Sequence, residues 1–254
     1  MKKLLSTAAA LIMAASLTAC SFGSPGNSKD RYSSAADEYK SYYDNAKSQI
    51  ESNKSNIESN KSDNSKNSES TPTVSTGYIT IDDYTFTFQN TVYSGTYEGY
   101  AVARKPNGSG KFNGTDTRGN SINAYCEKWG PTGLNGAGGV TIEPADTSTG
   151  FKTMVLKGEF VDSVMSGKGT MVMYSTDEVA ASGGLLVTTV NGQFSDNSPA
   201  GKVEMIAQFS GDFAAKNGYN RMVYTGSWKG NNIETPYTVK YYNGNTLVDE
   251  DVVE

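Results

Sequence analysis

Five aromatic residues recur at a nearly constant interval along most of the chain, and this period limits the possible folds more than any other feature. The intervals are 32, 31, 34 and 34 residues, between Tyr97, Trp129, Phe160, Phe194 and Trp228. A glycine lies two residues before four of the five aromatics, at Gly95, Gly158, Gly192 and Gly226. Self-similarity at a fixed period of about 20 to 50 residues indicates a repeat protein, in which each unit packs on its neighbours.

A second pattern, Gly-x-Gly, follows the aromatic after seven residues in the middle units. It reads Gly136-Ala137-Gly138, Gly167-Lys168-Gly169 and, with its second glycine lost, Gly201-Lys202-Val203. Three departures are visible. Glu127 stands where a glycine is expected before Trp129, and Gly108-Ser109-Gly110 comes four residues late in the first unit. In the fifth unit Thr235 and Tyr237 replace the two glycines, so we interpret this unit as the terminal one. We interpret Phe209–Phe213 as an extra half unit that lengthens the period.

Period-two alternation of apolar residues predicts that residues 78–254 form an all-β domain of antiparallel hairpins, joined in one elongated sheet. The alternation is clear at Tyr84, Phe86 and Phe88 and again at Tyr237, Val239 and Tyr241. A glycine in the neighbouring strand lets an aromatic ring lie on bare backbone. We therefore expect a structural core built by Tyr93, Gly95, Tyr97, Trp129, Gly158, Phe160, Gly167, Gly169, Gly192, Phe194, Gly226 and Trp228.

The pattern aromatic-x-Gly-x-aromatic followed by Gly-x-Gly resembles the MORN (membrane occupation and recognition nexus) repeat family. Residues 156–170 match the family spacing best, and the resemblance covers about residues 93–244. The period here is longer than the family's usual unit. The resemblance implies a sheet of repeated hairpins that contacts proteins or the cell envelope. The family's proposed lipid binding does not suit residues 78–254, where 13 basic residues stand against 19 acidic ones.

Residues 1–19 have the composition of a bacterial lipoprotein signal peptide. Lys2 and Lys3 precede an apolar run that is short for a membrane span, and Leu17-Thr18-Ala19-Cys20 resembles the lipobox at which such signals are cleaved. The resemblance implies that the Cys20 thiol carries diacylglycerol, with acyl chains such as palmitate. Two or three chains hold a protein on a membrane durably. We therefore expect a lipid-anchored, extracytoplasmic protein at the bacterial cell membrane or outer surface.

Residues 20–77 are predicted to be a tether rich in Ser, Asn and Lys, because almost no large aliphatic residue is present to form a core. Within it, a heptad pattern over about residues 32–62 predicts a helix, and Ile50–Asn56 is nearly repeated as Ile57–Asp63. Ala and Asn occupy positions where Leu normally drives association. A marginal spacer helix is therefore favoured over a coiled-coil stalk that oligomerises.

The absence of histidine removes Ser-His-Asp hydrolases, His-ligated metal sites and imidazole switches. Gly167–Thr170 does not complete a phosphate-binding loop, and Ser195-Asp196-Asn197 lacks the partner motifs of penicillin-interacting enzymes. No cofactor or metal site is expected, and the acidic C-terminal residues are interpreted as a solvated tail. An unpaired Cys126 is expected to be buried and inert. Nucleic acid is not an expected partner, because basic residues are scattered.

These features predict a non-catalytic binding or scaffolding module with a protein or an envelope glycan as partner. Two alternatives remain: a closed β-barrel lipoprotein that binds a ligand or a host protein, and a carboxylate-dependent glycan-active enzyme. The candidate contact residues are four tyrosines that do not belong to the repeat patterns: Tyr100, Tyr219, Tyr241 and Tyr242.

Overall fold

The computed structural model describes residues 76–229 and 232–254, which form twelve β-strands and two short helices. The strands are β1 Thr76–Phe88, β2 Thr91–Val102, β3 Lys105–Thr115, β4 Ser121–Gly130, β5 Gly133–Glu143, β6 Phe151–Val161, β7 Val164–Ser175, β8 Leu185–Ser195, β9 Ser198–Phe209, β10 Arg221–Lys229, β11 Asn232–Asn243 and β12 Thr246–Val253. Helix α1 is Asp177–Gly183 and helix α2 is Gly211–Asn217. The signal peptide, Cys20 and nearly all of the tether lie outside the described residues. Within the described part, no helix has the length and apolar character to span a membrane.

All twelve strands form one antiparallel sheet in which spatial order equals chain order. The predicted all-β fold of repeated hairpins is thus confirmed, and the sheet is open, with β1 and β12 as its two edges, not closed into a barrel. Four of the hairpins close through two residues that both have positive φ, as in type I′ turns, which match the twist of the strands. These pairs are Gln89-Asn90, Ala103-Arg104, Asp162-Ser163 and Asp196-Asn197.

A row of glycines crosses the sheet perpendicular to the strands from β2 to β10. Its members face one another in successive registers: Gly99, Gly110, Cys126, Gly138, Gly158, Gly169, Gly192, Val203 and Gly226. Cys126, and not Glu127, therefore occupies the row in β4, where a bulge between Cys126 and Lys128 absorbs the extra residue. The register of β2 with β3, β6 with β7, β8 with β9 and β10 with β11 shifts at the same level. Such bulges bend a strand and increase its twist.

The first unit was aligned wrongly from the sequence. Gly99, not Gly95, pairs with Gly110 and belongs to the row. The residue two positions after Gly99 is Ala101, and Gly108 follows it after seven residues, as in the other units. The pair Gly108 and Gly110 is therefore not late. Tyr97 lies in a different row from Trp129, since it pairs with Phe112.

The first glycine of each Gly-x-Gly pattern faces an aromatic of the next hairpin. The pairs are Gly108 with Trp129, Gly136 with Phe160, Gly167 with Phe194 and Gly201 with Trp228. All four glycines have positive φ, from 65° to 113°, a region that other residues enter only with strain. The glycine requirement at these places is therefore conformational.

The core lies on the face of the sheet toward which the row from Gly99 to Gly226 points. The row beside it is apolar in every strand from β1 to β11: Ile81, Tyr97, Phe112, Ala124, Val140, Leu156, Met171, Val190, Met205, Tyr224 and Val239. Tyr93, Trp129, Phe160, Phe194 and Trp228 are also buried. We call this side the core face and the opposite side the outer face.

The hairpin of β1 and β2 covers part of the core face. In a flat sheet, β1 and β6 lie five strand spacings apart, which is about 24 Å. Nevertheless the ring centroids of Phe88 in β1 and Phe160 in β6 are 6.5 Å apart, and those of Phe86 and Trp129 are 5.1 Å apart. The sheet is therefore strongly curved, and its first hairpin packs back over later ones.

The connections between hairpins, two of which contain a helix, contribute to the long period. Connections on one rim lengthen along the chain, from residues 116–120 to residues 144–150, and then to segments that contain α1 and α2. The proposed half unit at residues 209–213 is wrong, because Phe209 ends β9 and Gly211–Phe213 begin α2. Thr176 and Ser210 cap the two helices, each accepting a hydrogen bond from a backbone N–H of the first turn.

Candidate functional site

The outer face is the surface that the sheet leaves open, and it is mostly polar. One complete row on it reads Thr80, Glu98, Lys111, Tyr125, Gly139, Lys157, Thr170, Asn191, Glu204, Thr225, Thr238 and Val252. Lys111 and Glu98 form an ion pair of 3.2 Å within this row. A smaller apolar cluster of Val155, Val172 and Val187, with Tyr174 against it, lies further toward the rim that carries the helices.

Core positions repeat from hairpin to hairpin, whereas outer positions vary. The middle residue of the Gly-x-Gly pattern points to the outer face, because it alternates with glycines of the core face. This residue is Ser109, Ala137, Lys168 and Lys202 in successive hairpins. In repeat proteins, fixed positions build the scaffold and variable positions on the open surface make contacts. The lysines at these places are therefore candidates for function.

Three lysines surround a groove on this face with a volume of about 560 Å³. We call it the lysine groove; its lining residues are Lys157, Gly158, Lys168, Gly169, Thr170, Gly192, Gln193 and Lys202. Lys157 lies opposite Thr170 across β6 and β7, and Lys168 lies opposite Gln193 across β7 and β8. The hydroxyl of Thr170 donates a hydrogen bond of 2.9 Å to Asn191 Oδ1. The groove thus crosses four strands, β6 to β9.

Glycines form the floor of the lysine groove because the core face leaves no room for a Cβ. A Cβ on Gly158 would lie 3.0 Å from Met165 Sδ, and one on Gly169 would lie 3.2 Å from Phe194 Cδ2. On the outer face the same glycines present bare backbone. Since these positions point to the core face, backbone is exposed on the outer face between the lysine side chains of the two hairpins β6–β7 and β8–β9.

The electrostatics of the lysine groove differ from those of the whole domain. Residues 78–254 carry 13 basic and 19 acidic residues, and none of the acidic ones lines the groove. Glu159 and Glu204 flank it on the same face. Lys168 and Lys202 are exposed and form no ion pair with any residue in the described ranges. A local positive charge thus stands on an otherwise acidic surface.

The four candidate tyrosines do not form one site, and only two of them are in contact. Tyr219 and Tyr241 pack against each other at 4.9 Å, and Tyr219 also packs on Phe213 of α2. Tyr100 packs on Tyr78 in β1 at 5.9 Å, and Tyr242 stacks under the Arg221 guanidinium at 4.3 Å. All four are only partly exposed. Burial, with Asp251 beside it, raises the pKa of Tyr241 to about 12.

A second groove of about 470 Å³ lies between the turn after β1 and the loop after β3. Its acidic member, Asp116, accepts hydrogen bonds from the backbone N–H groups of Arg118 and Asn120 at 2.8 and 2.9 Å. It also accepts from Asn120 Nδ2 at 2.7 Å. Burial on its own favours the protonated acid, but these donors outweigh it and lower the pKa of Asp116. Since its oxygens hold the loop together, Asp116 has a structural role.

Cys126 is buried, as expected. Its thiol donates a hydrogen bond to the carbonyl of Asn135 at 3.1 Å, and burial raises its pKa. Asp177 and Glu178 lie in the first turn of α1. Across residues 76–229 and 232–254, no three Cys, Asp or Glu side chains come together as potential metal ligands.

No protein-family profile and no curated protein matches the chain. Sequence reasoning missed the lysine groove, since it considered Lys168 as part of the repeat pattern and of a phosphate loop but not as a contact residue. The signal was present in the repeat itself: lysine stands between the glycines, or directly after the first of them, only in the hairpins β6–β7 and β8–β9, at Lys168 and Lys202.

Proposed function

We propose that the protein is a bacterial surface lipoprotein, anchored through Cys20, whose MORN-like hairpins form a non-catalytic binding module. The observation that carries this proposal is the difference between the two faces of the sheet. The core face repeats the same glycine and apolar rows, whereas the outer face is open and changes from hairpin to hairpin. Contacts with a partner are therefore made by the outer face.

The N-terminal sequence supports the anchor. Leu17-Thr18-Ala19-Cys20 follows a short apolar run, and a polar tether separates Cys20 from the first strand at Thr76. A lipid at Cys20 fixes the chain to the membrane, while the tether gives the sheet distance from it. An acidic domain is also repelled by an anionic lipid surface, which favours a partner that faces away from the membrane.

The resemblance to MORN repeats is supported by the register of the strands. In four hairpins a glycine with positive φ follows the repeat aromatic after seven residues. In the first of these hairpins Ala101 takes the place of the aromatic. Such constancy is expected of a repeat unit and not of an arbitrary meander.

The anchor is tested by Cys20→Ala in the full chain. We expect the variant to leave the membrane fraction or to accumulate with an uncleaved signal, because the lipid attachment point is lost. Ser21→Ala is the matched control and should fractionate as the parent does. Membrane partition and processing that are unchanged in Cys20→Ala would contradict lipidation.

Binding through the outer face is tested by photo-crosslinking in cells that carry the full lipidated chain. A photoreactive residue replaces Asn113 or Thr225, which are exposed on the outer face, or Thr117 or Ser148, which are exposed on the rim. We expect ultraviolet-dependent adducts from the outer-face positions that are absent from the rim positions. Equal adduct yields at all four positions, or none at any, would argue against an outer-face binding module.

A further inference from the structure

We propose that the lysine groove binds a linear anionic polysaccharide, a sugar chain that carries carboxylate or sulfate groups. This inference rests on the proposed function, since it assigns a ligand class to one part of the outer face. It starts from charge: Lys157, Lys168 and Lys202 come from three strands to one groove, and no acidic residue lines it. Lysine is a flexible point charge that suits anions without demanding one fixed geometry.

The shape of the groove favours a chain over a single ion. It crosses β6 to β9, which are three strand spacings, or about 14 Å. Its volume of about 560 Å³ is within the range of sites that hold molecules of several rings. Lys168 and Lys202 are separated by the whole of β8, so they contact different anionic groups of one ligand.

The floor and the neutral side chains suit sugar rings. Gly158, Gly169 and Gly192 line the groove with backbone, on which a ring can lie between the lysine side chains. Gln193 offers both hydrogen-bond donors and an acceptor, and Thr170 offers a hydroxyl, so hydroxyl groups of a sugar find partners between the charges. The combination of spaced cations and neutral polar groups matches a chain in which anionic groups alternate with hydroxyls.

Nucleic acids and anionic lipid bilayers fit the lysine groove less well than such a sugar chain. No aromatic ring lines the groove on which a nucleic-acid base can stack. Glu159 and Glu204 lie at its margins, and the domain as a whole is acidic, so a bilayer of anionic lipids is repelled beyond the three lysines.

The test measures binding of the detergent-solubilised full chain to polygalacturonate and to dextran sulfate, with uncharged dextran as reference. The test variant is Lys168→Gln/Lys202→Gln. The matched control is Lys105→Gln/Lys229→Gln, which removes the same charge from two exposed lysines outside the groove. We expect binding to at least one of the two polyanions that the test variant weakens about tenfold, equivalent to about 1.4 kcal/mol, with little change in the control.

Four results would overturn the inference: no binding of either polyanion, equal binding of uncharged dextran, equal losses in the test and control variants, or tighter binding of a single-stranded oligonucleotide or of anionic phospholipid vesicles. A folded test variant is verified by an unchanged circular dichroism spectrum. The broader proposal is judged separately, because outer-face crosslinks at Asn113 or Thr225 that persist in Lys168→Gln/Lys202→Gln would support a binding module whose partner does not use this groove.

Discussion

At the scale of single residues, the glycine row shows why composition alone says little about this chain. Gly110 lies in β3 and does not have a positive φ, so its role is not a special φ angle but space. The indole N–H of Trp129 donates to the Gly110 carbonyl at 2.8 Å, and the Tyr97 ring lies over the same backbone. The Tyr97 hydroxyl in turn donates to the carbonyl of Tyr100 at 2.8 Å. The buried rings of Tyr97 and Trp129 are thus both positioned against Gly110, which has no side chain.

Gly110→Ala should therefore destabilise the fold. Its Cβ would lie 2.7 Å from Tyr97 Cε2, a distance that requires the ring or the strand to move. We expect the free energy of unfolding, measured by urea denaturation, to fall by about 1–3 kcal/mol, as for other overpacked cores. Gly77→Ala in β1 is the control, because nothing lies within 4 Å of the added carbon, and its change should stay within about 0.5 kcal/mol. Similar losses for both variants would show that close approach is not the reason for Gly110.

At the scale of elements, adjacent hairpins are joined by the side chains of their tight turns. Asn197 in the turn after β8 accepts a hydrogen bond of 2.7 Å from the backbone N–H of Met165 in the previous hairpin. Ser163, at the same place in the turn after β6, accepts from the N–H of Leu134 at 3.1 Å. The backbone N–H of each turn residue donates back to the carbonyl of the same partner. These paired bonds set the spacing of successive hairpins at one rim.

Asn197→Gly tests this connection without disturbing the turn, because glycine accepts the positive φ of 61° more easily than asparagine. The Met165 N–H is left without its side-chain acceptor in a buried position, so the free energy of unfolding should fall by about 1–3 kcal/mol. Asp196→Gly is the matched control. It changes the neighbouring exposed turn residue, whose φ is also positive at 52°, and should leave stability nearly unchanged. A loss in Asp196→Gly as large as in Asn197→Gly would assign the effect to the turn backbone.

The elements also show what the sequence could and could not predict. Alternation and turn residues identified the strands and the hairpins, since both are local signals. The alignment of the repeat units agrees with the register of the strands where the sequence pattern is intact, as at Gly158 and Gly169. It failed at Tyr97, because residues 93–97 repeat the aromatic-x-Gly-x-aromatic pattern four residues before the true counterpart, Ala101. The bulge at Cys126 and the helix-containing connections depend on packing between hairpins, which no local pattern encodes.

The candidate site was not predictable for a related reason. Lys157, Lys168 and Lys202 are separated by up to 45 residues in the chain, and only the order of strands brings them to one groove. Their common orientation follows from alternation once the register is known. The repeat relates Lys168 to Lys202, which occupy the same place in their units, but it does not relate either of them to Lys157.

At the scale of the whole molecule, the curvature of the sheet adds contacts that a linear stack of repeats lacks. In a stack, each unit contacts only its neighbours, and stability is nearly a sum over units and their interfaces. Here Phe86 and Phe88 of the first hairpin reach Trp129 in β4 and Phe160 in β6. Exposed edges remain at β1 and β12, and three carboxylates in β12, those of Asp249, Glu250 and Asp251, discourage pairing with another strand.

A double-mutant cycle on Phe88 and Phe160 measures this closure. Both side chains are almost completely buried, so each single change to alanine should cost about 3–5 kcal/mol of unfolding free energy. If the rings support each other across five strands, the double variant should lose less than the sum, with a coupling of about 0.5–1.5 kcal/mol for the aromatic pair. Val92→Ala, at an exposed position of the same first hairpin, combined with Phe160→Ala should be additive. Additivity for Phe88 and Phe160 as well would mean that the first hairpin does not stabilise the distant strands, and that the domain behaves as a simple stack whose hairpins depend only on their neighbours.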